Sequence, residues 1–455
     1  MDIGVIGLGV MGENLIMNML DRGHGVSVYN RTVEKTEKFI SSFKASDKVK
    51  GYRTLEEMVS SLKSPRKILL MVTAGDAVDR LLDALGGFLS PQDVVVDGGN
   101  SNYRDTERRC KEKRGKFFFI GCGISGGEEG ARKGPSLMPG GHKDGWKLVS
   151  EIFSSIAAVS ASGSKCCEWI GDEGSGHLAK TVHNGIEYAE MQIIADFYQI
   201  LRNTHSPKDI SSIFQGWGAS GTSGFLLEAA QIVLNKKNGT EHMIDEILDA
   251  SEQKGTGAWT SEEAIRFGVP ASIISDSVVA RIISGQKELR KELSKVAPAG
   301  FVSCSFEIGA EDMRKAFLLC RALSYMQGFN LIREISNAKS WGVSREMLCR
   351  VWSNGCIIRS EFLKTLEQIC EKEPMEQSKI FLSLAMEGVA PLRKIASYCV
   401  NSGVSVPCLL SSLSYYDMIR TESSSGNMIQ ALRDYFGSHT LVLKTSKERV
   451  HINWT

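Results

Sequence analysis

Five polar side chains recur at helical spacing in the segment 177–192. They are Lys180, His183, Asn184, Glu187 and Tyr188, at positions i, i+3, i+4, i+7 and i+8. This spacing places all five on one helix face, where a core-facing stripe would be apolar. A lysine and a glutamate so placed can act as a base and an acid, or they can form a contact on a solvated face. The surroundings of the stripe must decide between the two.

A glycine-rich loop follows the first predicted strand. Residues 7–12 read Gly-Leu-Gly-Val-Met-Gly and lie between the apolar run 3–7 and a helical stretch. In this context a G-x-G-x-x-G motif lets backbone amides approach a pyrophosphate at the start of the helix. We therefore predict a dinucleotide site rather than a purely structural turn. A base and an acid must then reach a substrate that lies against the nicotinamide, which favours the catalytic interpretation of the stripe.

Arg31 indicates which dinucleotide is bound. NAD sites usually place a carboxylate at the end of the second strand, where it binds the ribose 2′-hydroxyl. Here that strand ends with Tyr29, Asn30, Arg31 and Thr32. A carboxylate would repel a 2′-phosphate, whereas an arginine holds it with charge and a planar fork of donors. The pattern favours NADP, and the alternative is that Arg31 is a solvated residue after a strand.

Two more polar loops follow predicted strands. Residues 97–101 read Asp-Gly-Gly-Asn-Ser, and residues 125–130 read Ser-Gly-Gly-Glu-Glu-Gly after a strand that we expect to end near Ile120. Ligands bind at the carboxyl ends of strands in open α/β sheets, and glycines let backbone amides face an anion. Taken alone, the first loop is equally consistent with a simple turn.

The elements that must position these residues differ between the two halves of the chain. Up to about residue 176, polar helical stretches alternate with strand-like runs at 3–7, 25–29, 67–73, 93–97 and 116–120. This alternation predicts βαβ units and a parallel sheet. Beyond residue 176, apolar residues recur at helical spacing, as in 178–201 and 314–337. The tail 438–455 has no helical stripe, so it is either disordered or docked on another surface.

We therefore expect an α/β N-terminal Rossmann-like dinucleotide-binding domain, then a large all-α domain and a C-terminal tail. The expected boundaries are 1–176, 177–435 and 436–455. With 455 residues, 42% of them hydrophobic and 24% charged, the chain has an ordinary globular composition.

Charge and hydropathy exclude several classes of partner. The net charge of +1 gives no general reason to expect nucleic acid or an anionic membrane. No run of 18 apolar residues occurs, and no basic stretch precedes an apolar core at the N-terminus, so we expect a cytoplasmic protein. The eleven scattered cysteines contain no C-x-x-C pair, which favours reduced thiols. No Asp/Asp or His/His/Glu cluster indicates a metal site.

Over essentially the whole chain, these motifs resemble the 6-phosphogluconate dehydrogenase family. The resemblance rests on residues 7–12, 30–32, 97–101, 121–141, 176–188, 253–257, 280–281 and 433–440. Two of these segments are long and specific: ISGGEEGARKGPSLMPGG within 121–141, and GHLAKTVHNGIEY at 176–188.

The resemblance implies a set of binding residues. The implied NADP contacts are Gly7, Leu8, Gly9, Val10, Met11, Gly12, Asn30, Arg31, Thr32, Val72, Thr73, Ala74 and Asn100. The implied substrate contacts are Asn100, Ser125, Gly126, Gly127, His183, Asn184, Tyr188, Lys254, Thr256, Arg281, Arg433 and His439. In the family, the last two come from the tail of a second subunit, which implies a homodimer with exchanged tails. Lys254, Arg281 and Arg433 would form a cationic clamp for the 6-phosphate, although each alone is more often a surface charge.

Two positions depart from the family. Thr73 and Ala258 stand where lysine is usual or common. The first lies in the loop expected to line the cofactor, where its loss of charge would weaken one contact.

The family reaction is the oxidation of 6-phospho-D-gluconate at C3 with reduction of NADP+, followed by decarboxylation to D-ribulose 5-phosphate, a step of the pentose phosphate pathway. Lys180 is then the candidate general base, and its ammonium form would replace a metal ion in polarising the ketone. That role requires a lysine pKa lowered by burial. Glu187 is the candidate acid for C1.

Two alternatives are a β-hydroxyacid dehydrogenase acting on another small acid and a catalytically inactive NADP-binding protein. The phosphate clamp and the tail residues argue against the first alternative. Intact Lys180 and Glu187 argue against the second.

Overall fold

The computed structural model describes residues 1–43, 47–251, 255–296, 308–372 and 374–454. The strands are β1 (Ile3–Ile6), β2 (Val26–Tyr29), β3 (Val49–Tyr52), β4 (Lys67–Leu70), β5 (Val94–Asp97), β6 (Phe118–Ser125), β7 (Ser136–Gly141), β8 (Lys237–Asn238), β9 (Glu241–His242), β10 (Leu441–Val442) and β11 (Arg449–Val450).

The helices of the N-terminal part are α1 (Val10–Asp21), α2 (Val33–Ser41), α3 (Leu55–Ser60), α4 (Asp76–Gly86), α5 (Tyr103–Glu112), α6 (Gly127–Lys133) and α7 (Lys143–Ile156). Those that follow are α8 (Ser175–Leu201), α9 (Pro207–Trp217), α10 (Phe225–Asn235), α11 (Met243–Glu246), α12 (Thr256–Arg266), α13 (Ser272–Gly285), α14 (Lys287–Val296), α15 (Ala310–Lys339), α16 (Arg345–Trp352), α17 (Phe362–Cys370), α18 (Lys379–Ser402), α19 (Pro407–Ile419) and α20 (Gly426–Gly437).

The first seven strands form one sheet in the order β3-β2-β1-β4-β5-β6-β7. Strands β1 to β6 run parallel, and β7 is antiparallel to β6. Alternate residues of a strand enter different cores: Val94 and Val96 join one apolar cluster, whereas Val95 joins the other. Both faces of the sheet are therefore covered, and the predicted Rossmann-like fold is confirmed.

Three features of the sheet differ from the sequence prediction. Strands β3 and β7 were not predicted, and β6 continues to Ser125 instead of ending near Ile120. Strand β7 contains Pro139 and two glycines, which are residues that strands normally avoid. At Gly140 a side chain would overlap the backbone of Gly176 at the start of α8. The composition of β7 thus follows from close packing against a helix that lies far away in sequence.

The second half of the chain is built around two long helices, as predicted. The periodic segments 178–201 and 314–337 lie within α8 and α15, which pack against each other. The two helices approach each other closely at Gly328, where a β-carbon would overlap the side chain of Ile186 at 2.7 Å. Two-stranded hairpins, β8–β9 and β10–β11, interrupt this helical half. Among the described residues, no helix combines the length and the apolar character that crossing a bilayer requires.

The C-terminal tail is docked on the last helix of its own chain. Asp434 of α20 is fully buried and accepts hydrogen bonds from the backbone amide of Ile452 and from Nε1 of Trp454, each 3.0 Å long. Its other carboxylate oxygen lies 3.0 Å from Nδ1 of His451. Of the two alternatives left open by the sequence, docking describes the end of the tail, which lies on the last helix of its own chain rather than on another surface.

Candidate active site

The glycine loop between β1 and α1 has two kinds of glycine. Gly7 has a φ of 110°, and a side chain there would overlap the carbonyl oxygen of Met71. A side chain at Gly12 would overlap the carbonyl oxygen of Gly7. At Gly9, in contrast, a β-carbon would meet no protein atom within 4 Å. The fold itself requires Gly7 and Gly12, while Gly9 leaves open space at the helix start, where a pyrophosphate fits.

A cavity of about 490 Å³ lies beside this loop. The predicted cofactor residues that line it are Gly7, Leu8, Gly9, Asn30, Arg31, Thr32, Val72 and Thr73. Asn30 also supports the loop, because its Oδ1 accepts a hydrogen bond of 3.1 Å from the amide of Leu8. Five predicted cofactor residues do not line this cavity: Val10, Met11, Gly12, Ala74 and Asn100.

Asn100 is presented by a rigid turn at the end of β5. The buried carboxylate of Asp97 accepts hydrogen bonds from the amide of Gly99 (3.0 Å) and from Oγ of Ser101 (2.6 Å). A β-carbon at Gly99 would lie 2.9 Å from the carbonyl oxygen of Val72. The turn therefore abuts the loop that lines the cofactor cavity, and it leaves the Asn100 side chain exposed.

Strand β6 and helix α8 meet along one face of each. Alternate strand residues Gly121, Gly123 and Ser125 face His177, Lys180 and His183 of the helix, which are spaced three residues apart. A β-carbon at Gly121 would lie 2.6 Å from Nδ1 of His177, and one at Gly123 would overlap Cβ of Lys180. Ser125 Oγ lies 3.3 Å from Nε2 of His183. This register brings the polar stripe to the carboxyl end of the sheet.

Lys180 is a buried lysine without an ion pair in the described parts of the chain. Only 8% of the residue is exposed, and no described carboxylate lies within 4 Å of its Nζ. Burial lowers the pKa of Lys180, although the Glu187 carboxylate acts in the opposite direction. The lysine is therefore shifted towards the neutral form that a general base requires.

Glu187 and His183 lie further along the same face. Oε2 of Glu187 is 3.8 Å from Nδ1 of His183, and that nitrogen is 3.1 Å from Oδ1 of Asn184. Burial raises the pKa of Glu187, and burial together with the nearby Lys180 charge lowers the pKa of His183 well below its usual value. The face thus favours a neutral imidazole beside a carboxyl group that retains its proton more readily than usual.

Three more predicted substrate residues, Tyr188, Thr256 and Arg281, gather at the end of the stripe. The Arg281 guanidinium stacks over the Tyr188 ring, 3.5 Å from its centroid. Asn184 Nδ2 donates a hydrogen bond of 3.1 Å to Oγ1 of Thr256, the first residue of α12. A β-carbon at Gly257 would lie 2.6 Å from Cε2 of Tyr188. Lys254, the other predicted phosphate ligand of this region, lies outside the described residues.

Gly126 and Gly127 form the turn between β6 and α6. Their φ angles are 120° and 62°, which disfavour any other residue. A β-carbon at Gly126 would lie 2.6 Å from the carbonyl oxygen of Gly355, whereas one at Gly127 would meet nothing within 4 Å. The turn is therefore packed on one side and open on the other.

Arg433 and His439 do not join the stripe within one chain. Both are exposed, and Arg433 Nη1 donates a hydrogen bond of 3.1 Å to Oε1 of Gln430 on the same helix. The helix that carries Arg433 packs against β10 and the end of the tail of its own chain.

Comparison with known proteins places this geometry in a family. The family model of the NAD-binding domain of 6-phosphogluconate dehydrogenase matches residues 2–171, and that of its C-terminal domain matches residues 176–454. The chain belongs to the 6-phosphogluconate dehydrogenase family.

Curated relatives match over nearly their whole length. The chain is 43% identical to the decarboxylating 6-phosphogluconate dehydrogenase of Chlamydia muridarum, with 96% of this chain and 94% of that one covered. It is 41% identical to the human enzyme, with 100% and 96% covered. The solved 6-phosphogluconate dehydrogenase of Plasmodium falciparum, studied in its apo form and with NADP+ and 6-phosphogluconate, superposes with a TM-score of 0.95 at 35% identity, and all of both chains is covered.

Sequence reasoning missed several residues of this 6-phosphogluconate dehydrogenase family site. The ring of Trp352 packs against His183 with centroids 5.6 Å apart, and buried Cys356 lies close enough to influence the Lys180 charge. Lys35 and Arg80 line the dinucleotide cavity beside Arg31. Of these, only Lys35 had a sequence signal, because it is a cation four residues after Arg31. The others come from distant segments that tertiary packing brings to the site.

Proposed function

We propose that this protein is an NADP-dependent, decarboxylating 6-phosphogluconate dehydrogenase of the pentose phosphate pathway. Full-length family membership supports the reaction. The structural observation that carries the proposal is Lys180, a buried lysine without a described ion-pair partner, on one helix face with Glu187. We propose three regions with different roles. Residues 1–176 bind the dinucleotide, residues 177–435 bind substrate and the second subunit, and residues 436–455 form the tail that reaches the second subunit.

In the cavity lined by Gly9, Asn30 and Arg31, bound NADP+ would supply the acceptor for the hydride that leaves C3 of the substrate. Lys180 takes the proton of the C3 hydroxyl group as that hydride departs. Its lowered pKa supports this step, because the neutral amine is the proton acceptor. The resulting ammonium then donates a hydrogen bond to the C3 ketone while the C1 carboxylate leaves as carbon dioxide. The electron pair of the broken C1–C2 bond forms the C2–C3 double bond, and the ammonium passes its proton to the C3 oxygen, which gives the enediol.

Glu187 completes the reaction by protonating that enediol at C2, the carbon that lost carbon dioxide, while neutral Lys180 takes back the proton of the C3 hydroxyl group so that the ketone forms again. A carboxyl group with a raised pKa keeps the proton that it must donate. His183 and Asn184 adjoin it and would orient the hydroxyl groups and the carboxylate of the substrate. The product of this sequence is ribulose 5-phosphate.

The 6-phosphate would bind at the Tyr188 end of the stripe. Arg281 stacks on that ring and keeps its guanidinium donors available for a phosphate. Thr256 begins the helix beside it, and we propose that Lys254 contributes a further cation and that Arg433 and His439 of a second subunit close the site.

An apolar surface supports this exchange between subunits. Helix α20 carries Met428, Ile429, Leu432, Tyr435 and Phe436, each more than half exposed. A row of exposed apolar residues also runs along α13 next to Arg281: Val279, Ile282 and Ile283. Apolar patches of this kind typically mark protein interfaces. In a two-fold dimer each α20 and its tail would cover α13 of the other subunit.

Subunit mixing tests the exchange. Lys180→Ala and Arg433→Ala are each expected to be inactive, and their hybrid dimer would contain one intact site of two. If the tail acts across the dimer, random mixing should restore roughly a quarter of the wild-type activity. Hybrids that form but remain inactive would contradict the exchange.

A direct assay tests the activity itself. We expect NADPH absorbance to appear with 6-phosphogluconate, to be accompanied by carbon dioxide, and to be unchanged by EDTA because Lys180 polarises the ketone. Turnover only of an unphosphorylated β-hydroxyacid would favour the related dehydrogenases. No turnover, with NADP+ still bound in a calorimetric titration, would indicate an inactive NADP-binding protein.

A further inference from the structure

The dinucleotide cavity is more basic than the sequence motif indicates. Three cations line it, Arg31, Lys35 and Arg80, and none of the described residues lining it is an aspartate or a glutamate. Arg31 and Lys35 come from the segment after β2, whereas Arg80 comes from α4, which follows β4. Because β1 lies between β2 and β4 in the sheet, the cations approach the cavity from both sides of the glycine loop.

The face of α4 that carries Arg80 lines this cavity. Ala77, Arg80 and Leu81 all line it, and their spacing of three and four residues places them on one side of α4. Among the described residues that line the β4 side of the cavity, Arg80 is the one cation. Thr73, in the loop that precedes α4, also lines this side but carries no charge.

The acidic residues of α4 do not neutralise Arg80. Asp79 is held by Arg109, with an Nε–Oδ1 distance of 2.9 Å, and Asp83 by Lys113 at 2.6 Å. Asp76 precedes Arg80 by one helical turn, but no ion pair joins them within the described part of the chain. The Arg80 charge is therefore available to a bound anion.

We propose that Arg80 is a specificity-determining residue for NADP, holding the 2′-phosphate from the side opposite Arg31. This inference rests on the proposed cofactor. The 2′-phosphate is the part of NADP that NAD lacks, and it carries close to two negative charges. A guanidinium can donate two hydrogen bonds to it. The Arg31 and Arg80 side chains, with no carboxylate among the described residues that line the cavity, match the negative charge of the 2′-phosphate.

Calorimetric titration of Arg80→Ala with NADP+ and with NAD+ tests the role. We expect the affinity for NADP+ to fall about tenfold, the value of one charge-assisted contact, with the affinity for NAD+ unchanged. Arg80→Lys should keep most of the preference because it keeps the charge. Arg22→Ala, which removes an exposed arginine outside the cavity, should leave both affinities unchanged.

The possible outcomes separate the two proposals. Equal affinities of the wild-type protein for NADP+ and NAD+ would contradict the proposed cofactor. If the wild-type protein prefers NADP+ and Arg80→Ala keeps that preference, or loses affinity equally for both, the role of Arg80 is overturned and the cofactor stands. Equal losses in Arg80→Lys and Arg80→Ala would likewise overturn it, because packing rather than charge would then be responsible.

Discussion

The two ends of the proposed site use charge in opposite ways. At the dinucleotide cavity Arg31, Lys35 and Arg80 are exposed and have no ion-pair partner among the described residues. On α8, Lys180 is buried and the carboxyl group of Glu187 is largely so. Exposed cations keep their charge and attract an anion, whereas burial penalises charge and shifts pKa values. One end is thus suited to selecting a ligand and the other to transferring protons.

This contrast also explains where each end tolerates change. Exposed side chains at the cavity can be replaced without disturbing the core, so their loss should affect selectivity. The buried stripe is fixed by packing between β6 and α8, so small changes there should affect turnover. Substitutions at each end of the site test this division.

Removal of the Lys180 amine should have the largest effect. In Lys180→Ala, proton transfer and ketone polarisation are lost together, and a single acid–base step is worth about 10²–10⁴-fold. We expect kcat to fall by at least that factor while calorimetry shows NADP+ binding unchanged. Turnover within about threefold of the wild-type value would contradict the assignment of the base.

A methyl group added at Gly123 on β6 should reduce turnover because it displaces Lys180. Gly123→Ala places a β-carbon where it overlaps Cβ of Lys180 and lies 3.0 Å from the carbonyl oxygen of Gly176. The helix must shift, and misplacement by about 1 Å can cost on the order of 10²-fold in rate. We expect a loss in kcat with the affinity for NADP+ retained. Gly86→Ala, where a β-carbon meets nothing within 4 Å, is the matched control and should retain full activity.

Gly123 also shows what the sequence could and could not predict. The polar stripe on α8 was predictable because helical periodicity is local, and Arg31 because it ends a strand within a recognisable unit. The partner of Lys180 on β6 was not predictable, since nothing in the sequence of β6 specifies which helix crosses it. The same holds for Trp352, Arg80 and the glycine-rich strand β7.

Charge reversal at Arg31 should have a smaller and more selective effect. Arg31→Glu replaces a charge-assisted phosphate contact with repulsion and leaves the glycine loop intact. We expect the ratio of kcat/KM for NADP+ to that for NAD+ to fall by about 10–100-fold, mainly through the NADP+ value. An unchanged ratio would mean that Arg31 is a solvated surface residue. Arg22→Glu, outside the cavity, controls for net charge.

The smallest effect concerns stability, and its sign follows from the lowered pKa of Lys180. Below that pKa the folded protein keeps a charged lysine buried, which costs free energy. The pKa of Lys180 is higher in the unfolded chain than in the folded protein. As the pH rises from the folded-state pKa towards the unfolded-state pKa, the folded protein loses the lysine proton while the unfolded chain keeps it, so the cost is relieved. Lys180→Met, which is similar in length and apolar, should therefore raise Tm by roughly a few degrees near neutral pH.

The same reasoning predicts that the difference in Tm between the two proteins shrinks as the pH is raised. Scanning calorimetry over a pH series can measure it, with the exposed Lys208→Met as the control that should show no such trend. A Tm for Lys180→Met below that of the wild-type protein would show that the amine stabilises the fold. Lys180 would then serve the stability of the fold rather than proton transfer. The proposed contrast, in which one end of the site selects a ligand and the other transfers protons, would be contradicted.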